Sequence, residues 1–428
     1  MRLLEYMTLK GVGLLREQIK ESEMIFMGRF VVIVLDGFGI GAMNDTVKVR
    51  PEDTLANTCK HILEKRPDLY LPNLEKLGLM NALGEEIGLM RFNEYANYGK
   101  GELMHFGADT FYGHQEIMGT FPRLPKKAPF RDYIDRVEVA LNNKGYKVER
   151  LVREGSEILL VNDAVTVADN IETDPGQAYN VTSALDRIDF KEVVDIGKTV
   201  KKEVEVSRVI TFGGENVTKE DILDAIEVND NGYIGVNAPQ SGVYNKGYQC
   251  VHLGYGIDPE VQAPTILGKA GKKVVLIGKV QDIVFNDDGK NIPGVDTAYV
   301  LRETLKELDQ MDQGFICTNV QETDLSGHGE NVDRYAEKLQ VADRYLGEIM
   351  ERIHHEDILI VMADHGNDPT SGSSKHTREM VPMLIFKEGL EGVRIGIRKS
   401  LSDIGATVLD YFKEKKPENG KSFLDLLK

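Results

Sequence analysis

Four continuous apolar runs interrupt the polar background of the chain, and each of them gives way to a polar segment. They cover residues 30–35 (FVVIVL), 273–278 (KVVLIG), 314–319 (GFICTN) and 357–363 (DILIVMA). Unbroken runs of this kind predict strands that are buried on both faces, as in a parallel sheet. Because ligands gather beyond the carboxyl ends of strands in open α/β sheets, the polar residues after these runs are the first candidates for function.

Apolar residues at spacings of three and four predict amphipathic helices between these strands. We expect Asn331 to cap one of them and Ser402 to cap another. The core-facing stripes comprise Tyr335, Leu339, Ala342, Leu346, Ile349 and Ile353 in the first helix, and Ile404, Val408, Leu409 and Phe412 in the second.

The alternation of strands and helices divides the chain into a core and an insertion. It is clear from about residue 30 to 119 and again from about 263 to the end, whereas the middle has short segments and many turn residues. We therefore expect an α/β fold with a mostly parallel sheet and a smaller inserted domain of α+β character. The core would comprise residues 30–125 and 241–428, and the insertion, a cap, residues 126–240.

Residues 1–29 form one amphipathic stretch ahead of the first predicted strand, and Met27 lies near its end. We interpret the stretch as an N-terminal extension. It is either an additional helix or a dispensable leader before a native start at Met27.

Composition narrows the class of protein. Among 428 residues, Lys and Arg number 52 and Asp and Glu 69, a formal net charge of −17. Such a charge argues against binding to nucleic acid or to an anionic membrane, although a bound metal ion can still attract an anionic substrate. No apolar run reaches the ~18 residues of a membrane helix, and residues 1–29 lack a signal-peptide pattern. Three widely spaced cysteines without a CxxC pair favour a reduced, cytoplasmic setting.

Carboxylates and imidazoles cluster after three of the four predicted strands. Three of the nine histidines of the chain lie in these segments. Carboxylate oxygen and imidazole nitrogen bind Zn²⁺, Mn²⁺ or Fe, and six such ligands suit two ions rather than one. Any one of these pairs alone is more often a helix cap or a turn than a metal site, so the prediction rests on their joint occurrence. The candidate ligands are Asp36, Asp324, His328, Asp364, His365 and His376.

Two ions can clamp the attacking and leaving oxygens of a phosphoryl transfer, which still requires a nucleophile. Water is one candidate. Thr110 is another, because it precedes a helix-like segment (GHQEIMGT) whose N-terminus would attract phosphate. Considered alone, Thr110 is more typical of a helix N-cap, and His114 of a packing or hydrogen-bonding residue.

With these residues assembled, the chain resembles the phosphopentomutase-like metalloenzymes of the alkaline phosphatase superfamily. VLDGFGIGAMND resembles the opening metal motif of that family, and ADTFYGHQEIMG resembles its nucleophile motif. GKVQDIVF and SLSDIGATVLDYF resemble two further segments. ADHGNDPT followed by KHTRE matches the C-terminal metal block. The resemblance covers about residues 30–120 and 274–428 and implies an alkaline-phosphatase-like three-layer core.

The resemblance also implies individual roles. Thr110 would carry phosphate during the interconversion of sugar 1-phosphate and 5-phosphate, with ribose or a related sugar as the small-molecule partner. Lys279 and Arg208 would contact the substrate phosphate. The implied cofactors are two divalent ions, Mn²⁺ first and Zn²⁺ as the alternative, and a sugar bisphosphate as primer. One ion would be held by Asp36, Thr110, Asp364 and His365, and the other by Asp324, His328 and His376.

The chain departs from the family pattern at several positions. TDLSGHGE has a shorter spacing between its ligands than the family motif, and Ala108, Gln115 and Gly329 replace a Lys, a Trp and an Arg. The segment RVITFGG, residues 208–214, lacks the second, phosphate-binding arginine of the family. Since a site without a bidentate arginine binds phosphate differently, a metal-dependent phosphatase or phosphodiesterase of the same superfamily is the alternative. A metal-stabilised binding protein without activity is a third hypothesis.

Overall fold

A computed structural model of the chain describes residues 28–172, 175–229 and 231–428. The chain forms two compact units. The larger unit comprises residues 28–121 together with Pro259–Lys428, and the smaller unit comprises Pro122–Asp258.

Sixteen strands are present in the described part of the chain, and they belong to three sheets. In chain order they are β1 (Arg29–Leu35), β2 (Asn97–Gly101), β3 (Val148–Arg153), β4 (Ser156–Val161), β5 (Val165–Asp169), β6 (Ala178–Ala184), β7 (Arg208–Gly214), β8 (Ile226–Val228), β9 (Ile234–Val236), β10 (Gln249–Gly254), β11 (Val274–Ile277), β12 (Lys290–Ile292), β13 (Gly314–Val320), β14 (Ile358–Met362), β15 (Val381–Phe386) and β16 (Arg394–Arg398).

The larger unit is built on an eight-stranded sheet in the order β12-β11-β13-β1-β14-β15-β2-β16. Its first five strands are parallel to one another, and only β15 runs against its neighbours. Every residue of β1, β13 and β14 is buried, so both faces of the sheet are covered. The predicted α/β class with a mostly parallel sheet is confirmed.

Helices cover the two faces of this sheet, and their apolar residues follow the predicted periodicity. Asn331 caps Val332–Met350 by accepting a hydrogen bond from the backbone N–H of Arg334, as predicted. The helices of the larger unit are Thr46–Val49, Thr58–Lys65, Pro72–Lys76, Leu79–Leu83, Thr110–Ile117, Ala263–Lys269, Val280–Ile283, Thr297–Gln310, Glu322–His328, Val332–Met350 and Ser402–Tyr411, with 3-10 turns at Pro51–Asp53, Pro259–Val261 and Leu424–Leu427.

The smaller unit has a six-stranded sheet in the order β10-β7-β6-β5-β4-β3, in which only β6 and β7 are parallel, and a separate hairpin of β8 and β9. Its own apolar core includes Val137, Val167 and Val193. Its helices are Ile134–Asn143, Phe190–Glu203, Lys219–Asp224 and Ala238–Ser241, with a 3-10 turn at Phe130–Asp132.

The structure corrects two of the expected boundaries. The predicted end of the insertion at residue 240 is wrong, because β10 pairs with β7 and thereby places residues 241–258 in the smaller unit. Ser402 does not cap its helix: it is the first helical residue, and its hydroxyl donates to the carbonyl of Thr120. The predicted extension over residues 1–29 lies outside the described residues up to position 27, and Arg29 already belongs to β1. Within the described ranges, no helix is both long and apolar enough to cross a membrane.

Candidate active site

The carboxyl ends of three adjacent strands bring the predicted aspartates together. β1 lies between β13 and β14, with Leu35 beside Val320 and Val34 beside Met362. Asp36 follows β1 directly, Asp364 comes two residues after β14, and Asp324 lies in the Glu322–His328 helix after β13. All three carboxylates are buried.

One group of side chains surrounds the imidazole of His365. Its Nε2 lies 3.4 Å from Oδ1 of Asp36, 3.3 Å from Oδ2 of Asp364 and 2.5 Å from Oγ1 of Thr110. The Thr110 hydroxyl also donates to Oδ1 of Asp36 at 3.3 Å. We call Asp36, Thr110, Asp364 and His365 the first cluster. Three of its members, Asp36, Asp364 and His365, form a compact donor group that could hold a metal ion.

A second group adjoins the first. Oδ1 of Asp324 lies 3.2 Å from Nε2 of His376, and Oδ2 lies 3.3 Å from Nε2 of His328. We call Asp324, His328 and His376 the second cluster. The compact donor group that the structure forms around Asp324 consists of Asp324, His365 and His376, whereas His328 contacts the other oxygen of Asp324. The rings of His365 and His376 stack with centroids 3.9 Å apart, so the two clusters share one site.

The backbone orients all three imidazoles in the same way. Nδ1 of His328 bonds to the carbonyl of Ser374 at 2.6 Å, Nδ1 of His365 to that of Gly366 at 2.9 Å, and Nδ1 of His376 to that of Ala108 at 3.0 Å. Each imidazole therefore presents Nε2 to the carboxylates, as a metal-binding histidine does when its other nitrogen is held by a carbonyl.

The charges of the site fit a bound divalent cation. Burial lowers the pKa of His365, yet the neighbouring carboxylates, Asp364 foremost, raise it to about 10. Burial raises the pKa of Asp364, but His365, His114 and Lys279 lower it by more. Oδ2 of Asp364 is nevertheless buried without a hydrogen-bond partner. Its neighbours at ion-pair distance are the imidazoles of His365 and His114, and a carboxylate oxygen in this setting fits a divalent cation.

Lys279 is the cation that the chain itself supplies to the site. It follows β11, and its Nζ lies 3.0 Å from Oδ2 of Asp36, 3.2 Å from Oγ1 of Thr110 and 3.4 Å from Oδ2 of Asp324. Burial lowers its pKa, but these carboxylates raise it to well above the ordinary value. Lys279 therefore stays charged and touches both clusters.

Thr110 begins the Thr110–Ile117 helix but is not its N-cap. Asp109 fills that position by accepting from the backbone N–H of Tyr112, so the Thr110 hydroxyl is left to face the first cluster. The helix N-terminus adds a favourable environment for an anion at this hydroxyl. His114 is a hydrogen-bonding residue, as expected: its Nδ1 donates to the carbonyl of Thr110 at 3.0 Å.

The remaining residues of interest are one predicted substrate contact, Arg208, and three polar residues that were not predicted. Arg208 lies at the start of β7 in the smaller unit, whereas the other candidate residues belong to the larger unit. Three further buried polar residues were not predicted: Asn319 and Asn367, which donate to cluster carboxylates, and Glu379, which accepts from Thr58 and Thr377. Their only signal in the sequence is position, since Asn319 lies near the end of an apolar run and the other two lie beside the ADHG and KHTRE motifs.

Comparison with known proteins supports the motifs. The family model described as "Metalloenzyme superfamily" matches residues 28–416. A phosphopentomutase of Caldanaerobacter subterraneus subsp. tengcongensis is 31% identical over 92% of this chain and 97% of that protein. A phosphopentomutase of Herpetosiphon aurantiacus is 32% identical over 93% of this chain and 99% of that protein. Among solved structures, phosphoglycerate mutase of Leishmania mexicana matches with 12% identity and a TM-score of 0.44, covering 94% of this chain and 98% of that one.

Proposed function

Since the chain belongs to the phosphopentomutase family of the metalloenzyme superfamily, we propose that it interconverts the 1-phosphate and 5-phosphate of ribose or a related sugar. Members of this family are metal-dependent phosphomutases, and the chain is one of them. The reaction would pass through a phosphothreonine at Thr110. The observation that carries this proposal is the position of the Thr110 hydroxyl, which is directed at Asp36, His365 and Lys279 from the first turn of a buried helix.

The two clusters would each hold one divalent ion, with Mn²⁺ as the first expectation and Zn²⁺ as the alternative. Asp36, Thr110, Asp364 and His365 would bind one ion, and Asp324, His328 and His376 the other. When bound, such ions supply positive charge that favours the alkoxide of Thr110 and neutralises phosphoryl oxygens. The donor atoms support this proposal: the Nε2 atom of His365 converges with the carboxylates of Asp36 and Asp364, and that of His376 with the carboxylate of Asp324.

The chemical steps conserve the phosphoryl groups. A sugar bisphosphate primes the enzyme: the oxygen of Thr110 attacks phosphorus, the new P–O bond to Thr110 forms, and the P–O bond to the sugar breaks. The proton that Thr110 loses is balanced by the proton that the departing sugar oxygen gains. In each turnover the free hydroxyl of a sugar monophosphate takes this phosphoryl group, giving a bisphosphate, and the phosphoryl group at the other position then returns to Thr110. Lys279 lies 3.2 Å from the Thr110 oxygen and would stabilise negative charge on the transferring group. Arg208 as a substrate-phosphate contact stays a prediction from the resemblance.

The test is a mutase assay on ribose 1-phosphate and ribose 5-phosphate with Mn²⁺, with and without a sugar bisphosphate. We expect interconversion that the bisphosphate accelerates, and phosphate on Thr110 in peptide mass spectra. Thr110→Val should abolish both signals, whereas Thr110→Ser, which keeps a hydroxyl, should retain part of the activity. Full activity of Thr110→Val would refute the proposal.

A phosphatase or phosphodiesterase is the second candidate. It is favoured by Phe212, which stands in the RVITFGG segment where the family has its second arginine. Weaker retention of an intermediate would let water take the phosphoryl group. Steady release of orthophosphate from sugar phosphates without formation of the isomer would support this function over the mutase.

A further inference from the structure

Two buried asparagines each donate to a carboxylate of a different cluster. Asn319 belongs to β13, and Asn367 follows His365 by two residues. Both side chains are fully buried. Neither is a candidate metal ligand, because each directs its amide nitrogen, not its oxygen, at the site.

Asn319 contacts one member of the first cluster directly and a second member, Asp364, through His114. Its Nδ2 donates to Oδ2 of Asp36 at 3.1 Å and to Nε2 of His114 at 3.0 Å. Because His114 accepts at Nε2, its Nδ1 carries the proton, and this nitrogen lies 3.2 Å from Oδ2 of Asp364. The amide thus fixes the carboxylate of Asp36 directly and faces Asp364 through one imidazole.

Asn367 acts on the second cluster. Its Nδ2 donates to Oδ1 of Asp324 at 2.8 Å and to the main-chain carbonyl of the same residue at 3.1 Å. The two bonds fix the side chain of Asp324 relative to its own backbone. They also link the loop that carries His365 to the helix that carries Asp324.

The amide oxygens of both asparagines indicate which part of each side chain is functional. Oδ1 of Asn319 and Oδ1 of Asn367 are both buried without a hydrogen-bond partner. Reversing either amide would place its oxygen against a carboxylate, which is less favourable than an unpaired oxygen. Each residue is therefore held for its NH₂ group alone.

We infer that Asn319 and Asn367 are positioning residues, Asn319 for the ion of the first cluster and Asn367 for the ion of the second. This inference rests on the proposed two-ion site. Without the amide donor, the carboxylate loses its fixed orientation and is more strongly repelled by its neighbours. Residues that orient metal ligands in this way commonly contribute about 10-fold to 100-fold to metal affinity.

The test is a calorimetric titration of the metal-free full chain with Mn²⁺ alone. Asn319→Ala and Asn367→Ala should each weaken one of two binding steps by about 10-fold to 100-fold. Asn286→Ala is the matched control: Asn286 is also buried in the larger unit with an unpaired Oδ1, but its Nδ2 bonds to Asn291 and Lys290, away from the clusters. It should bind Mn²⁺ as the unmodified chain does.

The two asparagines are told apart in a His376→Ala background, in which the second cluster has lost a ligand. There Asn319→Ala should still weaken the remaining binding step, whereas Asn367→Ala should change it little. Unchanged affinity in both asparagine variants, or an equal loss in Asn286→Ala, would overturn the inference. Failure of the unmodified chain to bind two ions would instead refute the proposed site.

Folding is checked by circular dichroism before each titration. If an alanine variant does not fold, Asn319→Ser and Asn367→Ser replace it, since serine keeps a donor and removes less volume. A folded serine variant should bind Mn²⁺ more weakly than the unmodified chain in the same step that the alanine variant was expected to affect. Normal affinity in both serine variants, with folded structure, counts against the positioning role.

Discussion

Gly113 lies directly against Asp364. A Cβ at Gly113 would stand 2.9 Å from the carbonyl oxygen and 3.1 Å from the Cβ of Asp364. The Thr110–Ile117 helix can therefore approach the carboxyl end of β14 only because this position has no side chain, and the approach brings Thr110 to His365.

Replacing Gly113 by alanine should displace the helix by a few tenths of an ångström and move the Thr110 hydroxyl from its partners. Since a misplacement of about 1 Å can lower a rate by about 100-fold, we expect the smaller displacement in Gly113→Ala to lower kcat by about 10-fold. Steady-state kinetics with Mn²⁺ present measures the effect, and Mn²⁺ titration shows whether the ions still bind. A variant with unchanged kcat would show that the contact between Gly113 and Asp364 leaves room for a methyl group.

Removal of metal should destabilise the chain. The three buried aspartates then repel one another, and Lys279, which contacts Asp36 and Asp324, offsets only part of their negative charge. Ligands that bind only the folded state stabilise it by about 2.7 kcal/mol at 100 times their Kd. We expect EDTA to lower Tm by several degrees and excess Mn²⁺ to restore it. Asp324→Asn should reduce this response. The same Tm with EDTA and with Mn²⁺ would contradict the expectation.

Arg378 holds the loop that leads to Thr110. Its guanidinium donates to the carbonyls of Leu103 and His105 at 3.0 and 2.8 Å and pairs with Asp45. The next residues of that loop include Ala108, whose carbonyl orients His376. Lysine cannot reproduce this fork of donors. We expect Arg378→Lys to fold, to bind Mn²⁺ more weakly and to lose about 10-fold in kcat, as measured by titration and kinetics. Wild-type values for both quantities would argue that the loop holds its place without Arg378.

The buried ion pair of Arg29 and Asp357 ties the start of β1 to the chain before β14. Nε of Arg29 donates to Oδ2 of Asp357 at 3.0 Å, and its backbone N–H donates to Oδ1. Removing one partner leaves the other charge buried, which costs about 3–5 kcal/mol. Urea unfolding of Asp357→Ala should show this loss of unfolding free energy. Asp425→Ala, which breaks an exposed pair with Lys428, is the control and should unfold as the unmodified chain does.

Asp169 makes the stability of the smaller unit depend on pH. Burial raises its pKa to about 6, although the backbone N–H groups of Ile234 and Phe130 donate to it and lower the pKa in part. A raised pKa means that the folded state binds the proton more tightly. Proton binding by Asp169 therefore stabilises the folded state fully below about pH 4. This stabilisation, about 3 kcal/mol in total, is lost as the pH rises through about 6.

Urea unfolding of the unmodified chain and of Asp169→Asn between pH 4 and pH 7 measures this effect. The variant should be less stable at low pH, because its NH₂ group places a donor opposite one of the two backbone N–H groups, whereas the hydroxyl oxygen of the protonated acid still has lone pairs to offer. Its deficit should shrink by about 2 kcal/mol across the range. A deficit that does not vary with pH would show that Asp169 has an ordinary pKa.

The predicted metal ligands were accessible from sequence because each follows a local pattern. Asp36 and Asp364 come just after apolar runs that fold as β1 and β14, and the helical spacing of Asp324 and His328 directs both side chains to one side. A parallel sheet then brings such strand ends together. Local pattern and global fold agree at these positions.

Competition between neighbouring groups explains what was missed. Asp109 is the stronger acceptor beside Thr110 and takes the N-cap, and the Ser402 hydroxyl finds a partner in Thr120 instead of its own helix. The pairing of β10 with β7 joins segments that no local pattern connects. Asn319 and Asn367 are ordinary polar residues in the sequence, and only the fold shows which carboxylates they contact.

Because β1 lies in the middle of the larger sheet, that sheet can be completed only late in synthesis of the chain. β1 is the first described strand to leave the ribosome, but its two sheet neighbours begin at Gly314 and Ile358. At about 5–20 residues per second, β1 waits tens of seconds for them, while all of Pro122–Asp258 is made. We expect nascent chains arrested before residue 314 to protect the smaller unit from protease but not β1. The strand in the middle of the finished sheet therefore stays without its two partners for most of the synthesis of the chain.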